Sequence, residues 1–280
     1  MLGEEEPRIR ERVIREKAAH DDDDVLSNSV QLKEVFRHVN TCETARRFER
    51  DYKGHLENVH GLKVLDLGCG YGHQSLTLLN SGAFVEGIDI SDRYIKACSE
   101  ITKNAGYSTD RCRFQVMDAH RLEFDDEAFD LVVGRGILHH LDLEPALKEI
   151  YRVLKIGGRA LFHEPLAQNP LLKIFRMMTP RARTQDERPL TRKDLSLIEA
   201  TWRVESTYYG IVSAPVAMVT SIILRPFDNS VFHKMADRLD RWFNNAAVFH
   251  AYNQYVLLNL VREDKESETN DTLQNSGKIA

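Results

Sequence analysis

The chain has 280 residues, 42% of them hydrophobic, a net charge of -5 and a pI near 6.1. That apolar content suffices for a sizeable core, most simply one large α/β domain with attachments. The acidic balance argues against a protein built to grip nucleic acid, which needs clustered Lys and Arg. Cys42, Cys69, Cys98 and Cys112 form no C-x-x-C pair, so neither a zinc site nor a disulfide framework is indicated, and a reducing cytoplasm fits.

Residues 1–60 are dense in charge and rich in helix formers, with Val30, Leu32, Val35 and Phe36 spaced loosely as on an amphipathic helix. A helical N-terminal segment is expected, a candidate lid. It has no apolar core of signal-peptide type, and the acidic run Asp21 to Asp24 reads as a solvated loop or helix start rather than a metal site. No metal ligand set is expected anywhere.

From Gly61 short apolar runs alternate with helix-like stretches. The runs are "KVLDLG", "FVEGIDI", "CRFQVMD", "FDLVVGRG" and "RALFHEP". That is the pattern of strands buried on both faces of a mostly parallel, doubly wound sheet, whose ligands bind beyond the carboxyl ends of the strands. After Glu164, residues 166–190 mix a short apolar helix with an Arg-rich loop, and Thr191 reads as the N-cap of "RKDLSLIEA". Two more strands are expected near "WRVESTYYGIV" and "NQYVLLNLV", separated by a helical insertion of about 213–247. The apolar stretch Ile211 to Leu224 is broken by Pro215 and falls short of the roughly 18 to 20 residues that span a bilayer. Residues 263–280 are polar and aromatic-free, and disorder is expected there.

The chemistry gathers at the strand ends. Gly68, Gly70 and Gly72 give G-x-G-x-G; His73 stands where a dinucleotide fingerprint needs its third glycine, and no Lys follows to make a phosphate loop. Asp89 ends the second strand, where a carboxylate suits two ribose hydroxyls, and Asp118 ends the third, where it suits an exocyclic amine. Asp66 lies beside the glycines. Three acids around one crevice would repel a pyrophosphate but suit a ligand carrying an amine, a sulfonium and an adenosine. Taken singly, Asp89 is better read as a helix cap and Asp118 as a turn brace.

In order, "VLDLGCGYG", "VEGIDIS", "QVMDAHRLEF", "FDLVVGRGILHHL" and "EIYRVLKIGGRALFHEP" resemble the class I S-adenosylmethionine-dependent methyltransferases, in particular their type 11-like, small-molecule group. The likeness covers residues 61 to about 164. It implies a Rossmann-like sheet of seven strands and S-adenosyl-L-methionine as cofactor. It further implies that Gly68, Cys69 and Gly70 pack against the methionine part, with Asp66 near its amine. Asp89 with Ile90 would bind the ribose, Asp118 with Ala119 the adenine, and Gly134 and Arg135 would face the cofactor through their backbone. Ile156, where this family usually has proline, is remote from the chemistry.

Methyl transfer needs positioning and exclusion of water, and a base only when the acceptor must lose a proton. The candidates are His139, His140 and Glu164, with His163 beside them; adjacent histidines cannot both face one site. Arg181 and Arg183 in "RARTQDERPL" would suit a carboxylated or phosphorylated acceptor, or belong to a solvated loop. The 213–247 insertion, with Phe227, Phe232, Trp242 and Phe249 in or beside it, could roof an apolar pocket, pack as core, form a dimer face or touch a membrane surface.

The leading reading is methyl transfer to a small-molecule acceptor in the cytoplasm, at oxygen, with a lipid-like or secondary-metabolite acceptor in view. Its rival is a non-catalytic S-adenosylmethionine-binding sensor or partner subunit. The chain is expected as a monomer or homodimer with no nucleic-acid partner and no transmembrane segment. A nicotinamide oxidoreductase is disfavoured by the glycine pattern and Asp118.

Overall fold

A computed structural model describes residues 2–21, 31, 33–179, 184, 186–224 and 230–264. The chain opens with helices α1 (Leu2–His20), α2 (His38–Thr41) and α3 (Glu43–His55). The alternating part follows as β1 (Lys63–Leu67), α4 (His73–Asn80), β2 (Phe84–Asp89), α5 (Asp92–Asn104), β3 (Cys112–Val116), β4 (Phe129–Arg135), a 3-10 turn (Leu138–His140), α6 (Leu143–Val153) and β5 (Leu154–Pro165). The remainder comprises α7 (Pro170–Met178), α8 (Arg192–Glu199), β6 (Arg203–Tyr209), α9 (Ser213–Ile223), α10 (Val231–Phe243), a second 3-10 turn (Ala247–Tyr252) and β7 (Tyr255–Val261).

The seven strands run in the order β3-β2-β1-β4-β5-β7-β6, parallel except for β7, which is antiparallel to both β5 and β6. All seven expected strands are present. Alternate residues of β1 feed opposite faces, as the strand period requires. Leu65 and Leu67 join a core with Leu147 and Ile150 of α6 and Leu195 and Ile198 of α8. Val64 joins the other, with Phe48 and Tyr52 of α3 and Leu78 of α4. Burial on both faces is why these strands read as continuous apolar runs. Local signals set the helix starts: Ser91 accepts from Tyr94 N at the head of α5, and Thr191 with Asp194 forms a reciprocal capping box on α8, as its sequence indicates.

The strand order reverses between β1 and β4, which opens a crevice at their carboxyl ends. Residues 265–280, where disorder is expected, lie outside the described residues, as do Val30, Leu32, Asp22 to Asp24, Arg181, Arg183 and Phe227. Among the described residues no helix is long and apolar enough to cross a membrane.

Candidate active site

The turn after β1 is held by its own backbone. Gly68 N and Cys69 N both donate to Ile88 O at 2.9 Å, and Gly72 N closes on Cys69 O at 2.9 Å. Gly68, Gly70 and Gly72 have φ of 73°, 50° and 82°, the left-handed region that favours glycine. At Gly72 a Cβ would stand 2.6 Å from Cys98 Sγ and 2.9 Å from Cys98 Cα. The third glycine therefore seats α4 against α5 and leaves the first two to face the crevice.

A cavity of about 220 Å³ lies over this turn. Of the residues singled out by the sequence, Gly68, Gly70, Asp89, Ile90, Asp118, Ala119 and His140 line it. Asp89 Oδ2 accepts from Gly70 N at 3.1 Å and Oδ1 from Ser91 N at 3.0 Å. Each oxygen keeps a further lone pair. Burial pushes this carboxyl above the ordinary range despite those backbone bonds, so donors arriving from a ligand would meet an under-satisfied acceptor. The cap and ligand readings of Asp89 are therefore compatible, and Ser91 performs the side-chain capping.

Asp118 Oδ1 receives both His120 N at 2.9 Å and His120 Nδ1 at 2.6 Å, while His120 Nε2 accepts from Asp142 N at 2.9 Å. That fixes the imidazole as the Nδ1-H tautomer. Burial works to raise Asp118, but the bonds from His120 together outweigh it and hold the carboxyl below its usual value.

The site departs from the sequence expectation at several residues. Asp66 is buried, does not line the cavity, and accepts from Ser75 Oγ at 2.5 Å; burial pushes its carboxyl up to about 7. Cys69 packs beneath the turn beside Gly87, also off the cavity wall. Gly134 is sealed inside the sheet, where a Cβ would stand 2.6 Å from Ile137 and 2.8 Å from Phe162. Arg135 turns away to pair with Glu49 at 2.6 Å and to lie over the Phe48 and Tyr52 rings. Gly136 reaches the cavity in their stead.

Glu164 has no exposure and both its oxygens are taken. Oε1 accepts from Ile137 N and Leu138 N at 2.9 Å each, and Oε2 from His139 N at 3.3 Å and His139 Nδ1 at 2.7 Å. As a base candidate it therefore fails on geometry: it builds the turn and aims His139, with no oxygen left for an acceptor's proton.

The wall opposite the sheet is α1, in the segment expected as a candidate lid, although the sequence did not single out its cavity-facing residues. Arg12, Val13, Glu16 and His20 close the cavity opposite the sheet. Arg12 pairs with Asp142 at 3.2 Å, Arg15 with Asp186 at 2.8 Å and Lys17 with Asp92, while Glu16 accepts from His140 Nδ1 at 2.9 Å and Thr184 Oγ1 at 2.8 Å. Burial disfavours the charged form of His20, but Glu16, Asp89 and Asp21 together raise its pKa. The alternation of charge in α1 shows a helix; its partners lie 75 to 174 residues away and carry no local signal.

A second cavity of about 530 Å³ adjoins the first and shares Gly136 and His140 with it. Its wall includes Arg135, His163 and Tyr255 from the sheet side, Phe175, Arg176 and Met218 from the later helices, and both His139 and His140, contrary to the expectation that adjacent histidines cannot both face one site. His163 stacks on Phe48 at 4.0 Å and its buried Nε2 has no hydrogen-bond partner. Burial first, then the neighbouring Arg135 and His139, push it down to about 3, so it is neutral at physiological pH. Two groups, Glu16, His20 and His140, and His139, His140 and Glu187, bring donor atoms within 4.8 Å of one another. Both carboxylates are already engaged, Glu16 by His140 and Thr184 and Glu187 by Arg176.

A crevice at the switch point, a glycine turn under it and one acid at the end of each of β2 and β3 form the arrangement in which open α/β sheets bind ligands. The family described as "Methyltransferase domain" matches residues 65–162. Among curated proteins, sterol 4-C-methyltransferase strm-1 of Caenorhabditis elegans is 31% identical over 140 residues, 50% of this chain and 39% of that protein. A demethylmenaquinone methyltransferase of Staphylococcus aureus is 35% identical over 122 residues, 42% of this chain and 48% of that protein. The chain thus aligns with less than half the length of these two relatives. Among solved structures, geranyl diphosphate C-methyltransferase of Streptomyces coelicolor, in complex with Mg2+, geranyl diphosphate and S-adenosyl-L-homocysteine, superposes with a TM-score of 0.55 at 17% identity, covering 78% of this chain and 79% of that one. Over residues 65–162 the chain is thus similar to S-adenosylmethionine-dependent methyltransferases, and its fold is the class I methyltransferase fold.

Proposed function

We propose that the protein transfers a methyl group from S-adenosylmethionine to a small-molecule acceptor held in the second cavity. One observation carries this: Gly136 and His140 line both cavities, so donor and acceptor would meet there. When bound, the cofactor supplies an electrophilic methyl group on a sulfonium sulfur. The chain's residues fit that ligand. Asp89 offers one open lone pair on each oxygen to a vicinal diol, Asp118 keeps Oδ2 for an amine, and Met117, Ile137 and Leu141 give the cavity an apolar wall suited to a purine. Gly68 and Gly70 let the backbone approach closely. Asp66, under the turn, acts on the cofactor amine through the field rather than by contact.

On the acceptor side, neutral His163 on the wall of the second cavity favours an acceptor that donates a hydrogen bond to its imidazole, which supports reaction at a hydroxyl oxygen. His139 and His140 position that acceptor, Glu164 holds His139, and Arg135 and Arg176 stand on the cavity wall as ion pairs with Glu49 and Glu187. In this reading residues 1–60 are the lid segment and 61–262 the catalytic domain, with 166–190 and 213–247 as acceptor-side insertions. Four buried, unpaired thiols support a reducing cytoplasm as its place.

The test joins calorimetry with S-adenosylhomocysteine to incubation of labelled S-adenosylmethionine with a cell extract and identification of the labelled product. Binding and a labelled small molecule are expected; absence of cofactor binding ends the proposal. His163→Phe keeps the stacking on Phe48 but lacks the imidazole nitrogens, so turnover should fall at least about tenfold with cofactor affinity unchanged. Full turnover of that variant would remove His163 from the acceptor site.

A further inference from the structure

Helices α9 and α10 are built inside out. On α10 the buried positions are His233, Ala236, Asp237 and Asp240, while Val231, Phe232, Met235, Leu239 and Trp242 are 45% to 70% exposed. On α9 the buried positions are Ser213, Ala214, Ala217, Thr220 and Ser221, and the outward ones are Val219, Ile222 and Ile223.

The inward polar groups are matched to one another. Asp240 accepts from Val212 N at 2.6 Å, Ser213 N at 3.1 Å, Ser213 Oγ at 2.5 Å and Gly210 N at 3.1 Å. Asp237 accepts from Thr44 at 3.0 Å and Arg47 at 2.9 Å, and His233 Nε2 meets Thr220 Oγ1 at 2.7 Å. This hydrogen-bonded seam fixes which way α10 faces, because turning it would carry Asp237 and Asp240 out to solvent and leave Gly210 N, Val212 N, Ser213 N and Arg47 without their partners. The apolar outer face is therefore a fixed feature of the fold. Helix α7 adds Leu171, Ile174 and Met177, also exposed, and contributes Phe175 to the second cavity, to which α9 contributes Met218.

The outward apolar face of the packed helices α9 and α10, with the exposed apolar positions of α7 beside the same cavity, marks an interaction surface, and its charges indicate the partner. The chain carries a net charge of -5, yet the exposed charged positions of α7, α9 and α10 are Lys173, Lys234, Arg238 and Arg241, with no carboxylate among them. A two-fold contact between copies sets a patch against itself and would oppose cation to cation. An anionic lipid headgroup layer complements the same positions, with Trp242 and Phe232 suited to the headgroup boundary.

The geometry points to α7, α9 and α10 forming a platform that lies in the surface of an anionic bilayer, so that an acceptor with an apolar tail enters the second cavity from the leaflet. The platform stands on the exposed faces alone; the delivery of an acceptor rests on the methyl-transfer reading above.

Full-length protein is floated with vesicles of phosphatidylcholine, with and without about 30 mol % phosphatidylglycerol. Binding to the anionic vesicles, weaker binding to the neutral ones and release at high salt are expected. The chain has two tryptophans, and Trp202 is buried, so a blue shift of emission on vesicle addition reports Trp242 entering the interface. Ile222→Glu with Trp242→Glu should lower partitioning at least about tenfold, and Lys234→Glu with Arg238→Glu should abolish the preference for phosphatidylglycerol. S-Adenosylhomocysteine affinity, read by calorimetry on the same samples, should not change, which keeps this test separate from the cofactor assignment. Failure of the wild-type chain to float, or flotation of the Ile222→Glu/Trp242→Glu protein as well as wild type, overturns the platform. So does a wild-type dimer that those substitutions convert to monomer, since the face would then be a contact between copies.

Discussion

Asp89 joins the glycine turn to the crevice. Its carboxylate receives Gly70 N and Ser91 N from the protein and offers its open lone pairs to the cavity. Asp89→Ala should weaken S-adenosylhomocysteine binding by about 1 to 3 kcal/mol, the range for losing hydrogen bonds to a charged group; unchanged calorimetric affinity would show that the ribose lies elsewhere. Asp66 makes a different prediction, in stability. With its folded pKa near 7 against an ordinary 3.8, the native state keeps a proton that the unfolded chain loses between those values. Its contribution is fully present below about pH 4 and is lost as pH rises through 7. Asp66→Asn should therefore flatten that part of the pH-stability curve and be more stable than wild type at pH 8, by a few kcal/mol at about 1.4 kcal/mol per pH unit. Denaturant midpoints at pH 5.5 and 8 measure it, and a parallel loss in both proteins would contradict the assignment. The residues legible in the sequence were those whose signal is local, namely glycines in a tight turn and acids at strand ends. Gly134 and Arg135 were two positions too early, because a run such as "FDLVVGRG" does not mark where pairing stops and the cavity begins.

Helix α1 is the element whose role sequence reasoning left open. It faces the cavity with Arg12, Val13, Glu16 and His20, and is fastened to loops at Asp92, Asp142 and Asp186. Most of these pairs are partly exposed, so each holds the helix only weakly. A helix fastened by several weak contacts can lift as a unit while the sheet stays intact. A ligand beneath it would slow that lifting. Trypsin cleavage after Arg12 and Arg15 is expected to slow on adding S-adenosylhomocysteine, with the sites in the sheet domain unaffected; identical cleavage rates would remove α1 as a lid. The insertion helices were legible as helices by their period, since the spacing of Val231, Met235, Leu239 and Trp242 defines a stripe. A stripe does not say whether it faces core or surroundings. That direction was set by Asp237, Asp240 and His233, whose partners lie in α2, α3 and the loop before α9.

At the scale of the whole molecule, the doubly wound, mostly parallel sheet was readable because its central strands are buried on both faces and every parallel crossover from β1 to β5 except that between β3 and β4 carries a helix. The division of the crevice into two cavities was not, since Gly136 and His140 belong to both and only the packing of α1 on one side and α7 with α9 on the other separates them.

The two cavities have different doors. The first is roofed by a charged helix bonded to polar loops, the second flanked by helices with apolar outer faces. On the proposed methyl transfer, donor and acceptor would enter by separate routes, and spent cofactor would leave while the other site remained filled. Such an enzyme would show random-order kinetics, and could exchange its water-soluble ligand repeatedly without letting go of a greasy one.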